Sequence, residues 1–434
     1  MTLLSRSPLL PEAPLISSGS EWFSLKELKE LVEFRARVLR EVKDQSGAET
    51  RVHAFEVEPN IAGIVELLAA WQAGFIAAPL NPKLSEAERD KARQSLANQS
   101  PPEGSCSILW TSGTSGRPRG VALSWENFEA NAHASAARLS LGRDDVWMAS
   151  LSLAHIGGLA LVTRAILLGN RLIAPGKFDL SATVTLLESE EGPTHMSLVP
   201  TQLHRLLDEW GARRAPQRLK CILIGGAHAP RGLVNRAVDS GWPVALTYGA
   251  TEMSSQIATS GPEEVWSGRR DVGRPLREVE VRVADDGELL TRGATRALGY
   301  VGTRVGTLAD GEGWYRTGDL AVIDEDGRLS ITGRRIDRIV TGGVTLDAIE
   351  VEEKLRLYPS VIDLCVVGVP DEVWGERVAA WVEPVIGNFD LDEFESWVAN
   401  EMSAASRPRL WKIGDALPRN ANGKVDRARV RSQF

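Results

Sequence analysis

Residues Trp110 to Gly120 read W-T-S-G-T-S-G-R-P-R-G. Apolar runs flank this stretch: Cys106, Ile108 and Leu109 before it, Val121 to Leu123 after it. Both read as buried strands. Three glycines, four hydroxyl residues and two arginines therefore fill one connection between strands. Glycine lets backbone N–H groups approach a ligand closely, and a concave run of such groups binds anions. Hydroxyls add donors, and arginines add permanent charge suited to phosphate oxygens. An ordinary Gly/Ser turn is the plain alternative, but this density of phosphate-compatible groups favours a phosphate loop. It is not a Walker loop, which needs G-x-x-x-x-G-K followed by Ser or Thr and opens directly into a helix.

The 434 residues leave room for two or three domains, or one large and one small. A formal charge of −8 argues against a nucleic-acid surface. The three cysteines, Cys106, Cys221 and Cys365, are widely spaced and form no metal-ligand or disulfide pattern. That points to a reducing compartment and buried structural thiols. Pro8, Pro11 and Pro14 break the N-terminal stretch, against a signal peptide. The most hydrophobic segment, Ile61 to Leu80, carries Glu66, Gln72 and Pro79, against a membrane span. The expectation is a cytoplasmic protein with neither nucleic-acid nor membrane partners. Its oligomeric state stays open, a homodimer included.

Helical spacing marks Ser24 to Val42, and Asn60 is placed to cap a helix from Ile61 that ends near Gly74. Phe75 to Leu80 then reads as a strand, and helix followed by strand indicates an α/β sheet. Lys220 to Gly226 is a strand ending in glycines, so Gly225, Gly226 and Ala227 fall where α/β sheets bind ligands. V-A-L-T-Y-G-A-T-E, Val244 to Glu252, reads as a strand ending at Thr247. In it Tyr248 offers a ring for base stacking, Thr251 a hydroxyl for phosphate, and Glu252 a hard oxygen ligand for Mg²⁺. Val279 to Leu290 alternates as strand, turn and strand, with the turn at Asp285-Asp286-Gly287. Asp347 with Glu350 resembles a capping box, Thr341-Gly342-Gly343 a flexible loop, and Phe389 to Met402 an amphipathic helix. His155 in an apolar run and Lys424 in a basic tail are, by themselves, ordinary core and solvated groups.

Together these strings closely resemble the adenylate-forming superfamily of acyl-CoA synthetases, peptide-synthetase adenylation domains and luciferases, over nearly the whole chain. T-Y-G-A-T-E, W-Y-R-T-G-D ending at Asp319, and Pro418-Arg419 through Gly423-Lys424 are its most specific matches. The phosphate loop departs from the family at Arg119, where a lysine is usual. The resemblance implies an α/β fold: a large N-terminal domain of α/β sheets plus a β-subdomain, residues 1–335, and a small mobile α+β C-terminal domain, residues 336–434. The family hinge falls at Ile336 or Asp337.

The resemblance also implies ATP, Mg²⁺ and CoA as co-substrate. Thr111, Ser112, Gly113, Thr114, Ser115, Gly116 and Arg119 would surround the β- and γ-phosphates, with Thr114 taking part in catalysis. Gly225, Gly226, Ala227, Thr247, Tyr248 and Gly249 would hold adenine, Thr251 a phosphate, and Asp319 with Arg334 the ribose. Glu252 would bind the metal, and Lys424 would act in adenylation. His155 matches a Pro-x-x-His-x-x-Gly segment that lines and gates the acyl pocket, with Ser152 in place of the proline. Ser254-Ser255-Gln256 resembles o-succinylbenzoate–CoA ligases of menaquinone biosynthesis and would bind a keto or second carboxylate group. The alternatives are another acyl- or aryl-CoA synthetase, a standalone amino-acid-adenylating enzyme, and a silent nucleotide-binding protein. No acidic anchor for an α-amine is evident, and intact Glu252, Asp319 and Lys424 argue against silence.

Overall fold

The computed structural model describes residues 3–46, 51–96, 100–111, 119–301, 308–414, 416–420 and 423–434. The chain divides into two compact units. One comprises Met1–Ala229, Ala237–Val281 and Leu290–Tyr315; the other comprises Pro230–Arg236, Arg282–Leu289 and Arg316–Phe434.

The first unit carries two sheets. The larger runs Arg274–Pro275, Ser255–Ser260, Val244–Ala250, Cys221–Ile224, His195–Leu198, Val146–Met148, Arg171–Ile173, Pro14–Ser17, Trp22–Ser24. Its middle strands are parallel, and antiparallel strands flank them at both ends. The smaller sheet runs Gly299–Val301, Arg119–Leu123, Ser107–Thr111, Ile76–Leu80, Val52–Glu56. Strands buried on both faces read as continuous apolar runs, and C-I-L-I at 221–224 is buried throughout.

The helix Ile61–Gln72 starts where expected, with the Asn60 side chain accepting from the Gly63 N–H at 2.9 Å. Ser124 caps Trp125–Leu139 reciprocally with Asn127. The helix Ile156–Leu168 is apolar nearly all round and correspondingly buried. Leu159, Leu161, Val162 and Ile166 are almost fully enclosed, each contributing about 1.5–3 kcal/mol of transfer free energy.

The second unit contains a five-stranded sheet built from Val344–Asp347, Arg338–Thr341, Gly375–Pro384, Val361–Asp371 and Leu410–Ile413. Alternate side chains of Val361–Asp371 serve different cores, as strand geometry requires. Leu364 and Val366 join Phe394 and Val398 of the helix Leu391–Glu401. Cys365 and Val367 join Leu417 and Val430. The C-terminal segment is thereby a structural part of this unit.

Three local expectations are corrected. The strand starting at Val244 continues to Ala250, because Tyr248, Gly249 and Ala250 pair with Ser255–Ser260. Asp347 forms no side-chain cap; its carboxylate accepts from Arg338 Nε at 3.1 Å. Thr341-Gly342-Gly343 lies at the turn of the hairpin Arg338–Thr341 with Val344–Asp347. All three cysteines are buried, and burial pushes the Cys221 and Cys365 thiols up to about 12. No helix among the described residues is long and apolar enough to cross a membrane.

Asp145, Thr194 and Lys220 each immediately precede a strand of the larger sheet, where they surround a buried histidine. His195 Nδ1 lies 2.8 Å from Thr194 Oγ1, and its ring stacks on Trp147 at 4.9 Å. Lys220 Nζ holds the Asp145 carboxylate at 2.7 Å. Burial lowers the His195 pKa from 6.5 to about 4; Asp145 opposes the shift, while Lys220 and Arg164 reinforce it. The unfolded chain therefore takes up this proton first as pH falls. Stability should be level above pH ~6.5 and decline toward pH ~4, by on the order of 3 kcal/mol. Urea unfolding across that window should show the decline, and His195→Gln should flatten it. An equally steep decline in the variant would exclude His195 as its source.

Candidate active site

Thr111 and Arg119 face each other in the last register pair of their hairpin, at the neck of the phosphate loop. Ser112, Gly113, Thr114, Ser115 and Gly116 lie outside the described residues. The guanidinium of Arg119 lies 5.7 Å from the ring centroid of Tyr300. The Tyr300 hydroxyl in turn donates to Glu252 Oε1 at 3.1 Å. Tyr300 is thus a site residue that no motif revealed. Burial and the Glu252 charge push its phenol up to about 12, so it remains a donor at neutral pH.

Ile224 and Leu246 are register partners on adjacent parallel strands. This brings Gly225, Gly226 and Ala227, at the carboxyl end of Cys221–Ile224, beside Thr247 and Tyr248 of the neighbouring strand. Gly226 takes φ +79°, Ala227 is exposed and Tyr248 half-buried. The backbone and ring here are suited to a flat base. Gly249 is required by close approach: a Cβ there would sit 1.9 Å from the Ser255 carbonyl oxygen. Thr251, Glu252 and Met253 form a short 3₁₀ turn.

The chain returns through two serines in unusual backbone conformations, Ser254 at φ 53° and Ser255 at φ 111°. Such strain persists only where the surroundings enforce it, and it concentrates at functional sites. The Ser254 hydroxyl is buried with no hydrogen-bond partner among the described residues. Gln256 is almost fully buried. Its Oε1 accepts from Ser135 Oγ at 2.6 Å and from Arg164 Nη2 at 3.1 Å, and its Nε2 donates to Thr259 Oγ1 at 2.7 Å. The Gln256 amide therefore orients its neighbours.

Arg164 projects from the apolar helix Ile156–Leu168 and is 3% exposed. Its guanidinium lies 4.9 Å from the Trp147 ring centroid. Neither Nε nor Nη1 has a hydrogen-bond partner among the described residues. Burial lowers its pKa to about 10, which leaves it charged at neutral pH. A buried cation without a counter-ion is costly unless something else supplies the negative charge. An arginine inside L-A-L-V-T-R-A-I-L-L was the available sequence signal. His155 stands at the N-cap of the same helix, 3.4 Å from Asn81 Nδ2. The turn at Asn81 therefore serves the site as well as the fold.

In the second unit, Asp319 and Arg334 are register partners, and Arg334 Nε lies 2.8 Å from Asp319 Oδ1. Glu288 supports this pair from beneath. It accepts from the Gly318 N–H at 2.9 Å, from Arg316 Nε at 2.9 Å and from Arg335 Nη1 at 3.2 Å. One buried carboxylate thus holds both the turn before Asp319 and the residue after Arg334. Lys424 is exposed on its own tight turn, which is closed by Asn420 and by Arg419 Nη1 donating to Gly423 O. Arg419 Nη2 fastens that turn to Asp363 at 2.7 Å. Of the two positions expected at the hinge, Ile336 is 53% exposed, whereas Asp337 lies 3.4 Å from the Arg427 guanidinium. Burial raises the Asp337 pKa despite that cation.

Among the described residues, no group of three or more His, Cys, Asp or Glu side chains is placed to hold a metal. A single carboxylate such as Glu252 nevertheless fits Mg²⁺, which takes one or two carboxylates with substrate phosphates and water.

Residues 86–301 match the AMP-binding enzyme family, and residues 350–424 match the AMP-binding enzyme C-terminal domain. A 2-succinylbenzoate–CoA ligase of Bacillus mycoides is 34% identical over 339 residues, 76% of this chain and 70% of that protein. One from Bacillus cereus ATCC 14579 is 34% identical over 79% of this chain and 72% of its own length. Among solved structures, Bacillus subtilis o-succinylbenzoate CoA synthetase with its acyl-adenylate intermediate gives a TM-score of 0.88 at 26% identity, covering 99% and 97% of the two chains. The same enzyme with ATP and a magnesium ion gives 0.88 at 26% identity, covering 99% and 98%.

Gly249→Ala should lower stability by about 1–3 kcal/mol, the cost of forcing a methyl group into a packed backbone. Gly232 has open space around its Cβ position and lies in the helix Arg231–Asp239. Gly232→Ala should be neutral or stabilising. Urea midpoints of the two variants check the contrast, and equal midpoints would remove the steric argument for Gly249.

Proposed function

The chain belongs to the AMP-binding enzyme family, and we propose that it is an ATP-dependent 2-succinylbenzoate–CoA ligase of menaquinone biosynthesis. The carrying observation is Arg164, a buried guanidinium with two unsatisfied nitrogens, tied to Gln256 two residues beyond Ser254. A 2-succinylbenzoate molecule has two carboxylates and a ketone. One carboxylate is activated, and the other supplies the charge that Arg164 lacks. The orphaned Ser254 hydroxyl offers a donor to the same molecule. The relatives of the same name and the solved synthetase bound to its acyl-adenylate support this reading.

In the first step, a carboxylate oxygen attacks the α-phosphorus of ATP. The bond to the bridging oxygen breaks, and pyrophosphate leaves. The chain's task is to position the reactants and balance charge. Arg119 with the phosphate loop faces the β- and γ-phosphates. Glu252 would hold Mg²⁺, which neutralises phosphate charge when bound. Tyr248 and Gly225 to Ala227 place the base, Asp319 accepts the ribose hydroxyls beside Arg334, and Lys424 donates to the reacting phosphate. His155, steadied by Asn81, lines the acid's entry. In the second step, the CoA sulfur attacks the acyl carbon, and AMP leaves with the carbon–oxygen electron pair. Residues 336–434 act as the mobile domain that serves the two steps in turn. The cytoplasm is the proposed location.

Two measurements test these assignments. Pyrophosphate release should give the highest kcat/KM with 2-succinylbenzoate in a panel including benzoate, succinate, fatty, aryl and amino acids. Arg164→Gln should cost that substrate at least about tenfold, the range for a charged hydrogen bond, with the ATP KM unchanged. A faster monocarboxylate would exclude the assignment. Lys424→Ala should slow adenylation by about 10²–10³-fold, as for loss of one transition-state donor, and spare thioesterification of supplied acyl-adenylate. Equal losses in both half-reactions would exclude that role for Lys424.

A further inference from the structure

The geometry points to Tyr300 as a positioning residue that holds the Glu252 carboxylate ready for the metal-bound phosphates. This rests on the proposed role of Glu252 toward Mg²⁺. Tyr300 lies on Gly299–Val301, an edge strand paired antiparallel with Arg119–Leu123, so that Tyr300 faces Val121 and Val301 faces Gly120. Gly120 leaves no room for error in that pairing: a Cβ there would lie 2.9 Å from Ile108 Cγ2 and 3.1 Å from the Val301 carbonyl oxygen. The Tyr300 ring is thereby set at a fixed place beside the neck of the phosphate loop.

Two links join this segment to Glu252. The Ala297 N–H donates to the Glu252 carbonyl oxygen at 2.9 Å, and the Tyr300 hydroxyl donates to the carboxylate at 3.1 Å. Behind Tyr300, the Tyr315 hydroxyl is a hydrogen-bonding neighbour of the Tyr300 hydroxyl. Tyr315, Tyr300 and Glu252 thus form a hydrogen-bonded series that ends on the carboxylate. Among the described residues, Tyr300 is the one side-chain donor to this carboxylate. The Tyr300 ring also receives the Arg119 guanidinium, 5.7 Å from its centroid, a cation–π contact. One tyrosine thus touches both the acid that faces the metal and the cation that faces the phosphates, without being a ligand itself. Groups that orient metal ligands in this manner commonly affect metal affinity by 10- to 100-fold.

The test measures Mn²⁺ affinity by electron paramagnetic resonance in the presence of a non-hydrolysable ATP analogue, with metal-free AMP binding measured by calorimetry. Tyr300→Phe keeps the ring and removes the hydroxyl. It should weaken Mn²⁺ by about 10-fold or more and leave metal-free AMP binding unchanged. Tyr315→Phe should produce a smaller loss of the same kind. On a Glu252→Gln background, Tyr300→Phe should add nothing. Unchanged Mn²⁺ affinity in Tyr300→Phe, a full further loss on the Glu252→Gln background, or parallel loss of AMP binding would each overturn the inference. If Glu252→Gln itself leaves Mn²⁺ affinity intact, the role of Glu252 fails, and that of Tyr300 fails with it. If Glu252→Gln weakens Mn²⁺ and Tyr300→Phe does not, only the role of Tyr300 fails.

Discussion

The Gln256 amide is the interaction on which the site in the first unit depends. A primary amide has two donors and two acceptor lone pairs. Here Ser135, Arg164 and Thr259 engage it from a helix, a second helix and its own strand. Its backbone carbonyl also accepts from Asn131 at 3.2 Å. Buried polar groups are costly when left unsatisfied, so these three bonds tie the antiparallel strand to the helices Trp125–Leu139 and Ile156–Leu168. They also station a charged guanidinium in an apolar helix, where a cation would not otherwise be tolerated. The Thr259 hydroxyl bonds onward to Thr247 Oγ1 at 2.8 Å, on the strand that carries Tyr248. Thr247, Thr259, Gln256 and Arg164 therefore belong to one hydrogen-bonded assembly.

The family was legible in the sequence because the strings that mark it are short and contiguous. Tyr248 to Glu252, Arg316 to Asp319 and Arg419 to Lys424 each carry their functional groups within a few residues. The helix starts at Asn60 and Ser124 were legible because each cap bonds within three residues. The missed residues, Arg164, Asn81, Tyr300 and Glu288, act across long sequence separations. Tyr300 meets Glu252 across 48 positions, and Asn81 meets His155 across 74. Periodicity reports which face of an element is apolar; it carries no information about which distant side chain arrives there. The strand past Thr247 was illegible for another reason. Its continuation requires positive φ at two serines, a conformation that residue preferences assign to glycine or asparagine. The surroundings override that preference, and Tyr-Gly-Ala becomes strand instead of turn.

The second unit applies a different economy. The side chains proposed to act there, Asp319, Arg334 and Lys424, are each secured by a separate ion pair or turn. Glu288 braces the hairpin of Asp319 and Arg334 through Gly318 and Arg335, and Arg419 braces the segment bearing Lys424 through Asp363. Arg427 adds a third fastening, reaching Glu352 at 2.7 Å and Asp337 at 3.4 Å. Exposed ion pairs contribute little, but these carboxylates are largely shielded from solvent. Glu352 and Glu288 are each 3% exposed. Removing one partner would strand the other as a buried charge, so these braces are hard to lose singly.

The double duty of Ser255–Ser260 has a consequence for how the enzyme's selectivity can change over generations. The segment that would sort one acid from another is also a structural strand, packed by Gly249 and pinned through Gln256. A change of substrate preference that begins there alters folding and recognition together, so most first steps toward a new acid fall below the stability threshold. Divergence is easier if it starts at the helix bearing Arg164, where exchanging charge for apolar volume removes a desolvation penalty as it erases the old preference. The order in which such substitutions accumulate is then constrained by the interior of the protein before any substrate is met.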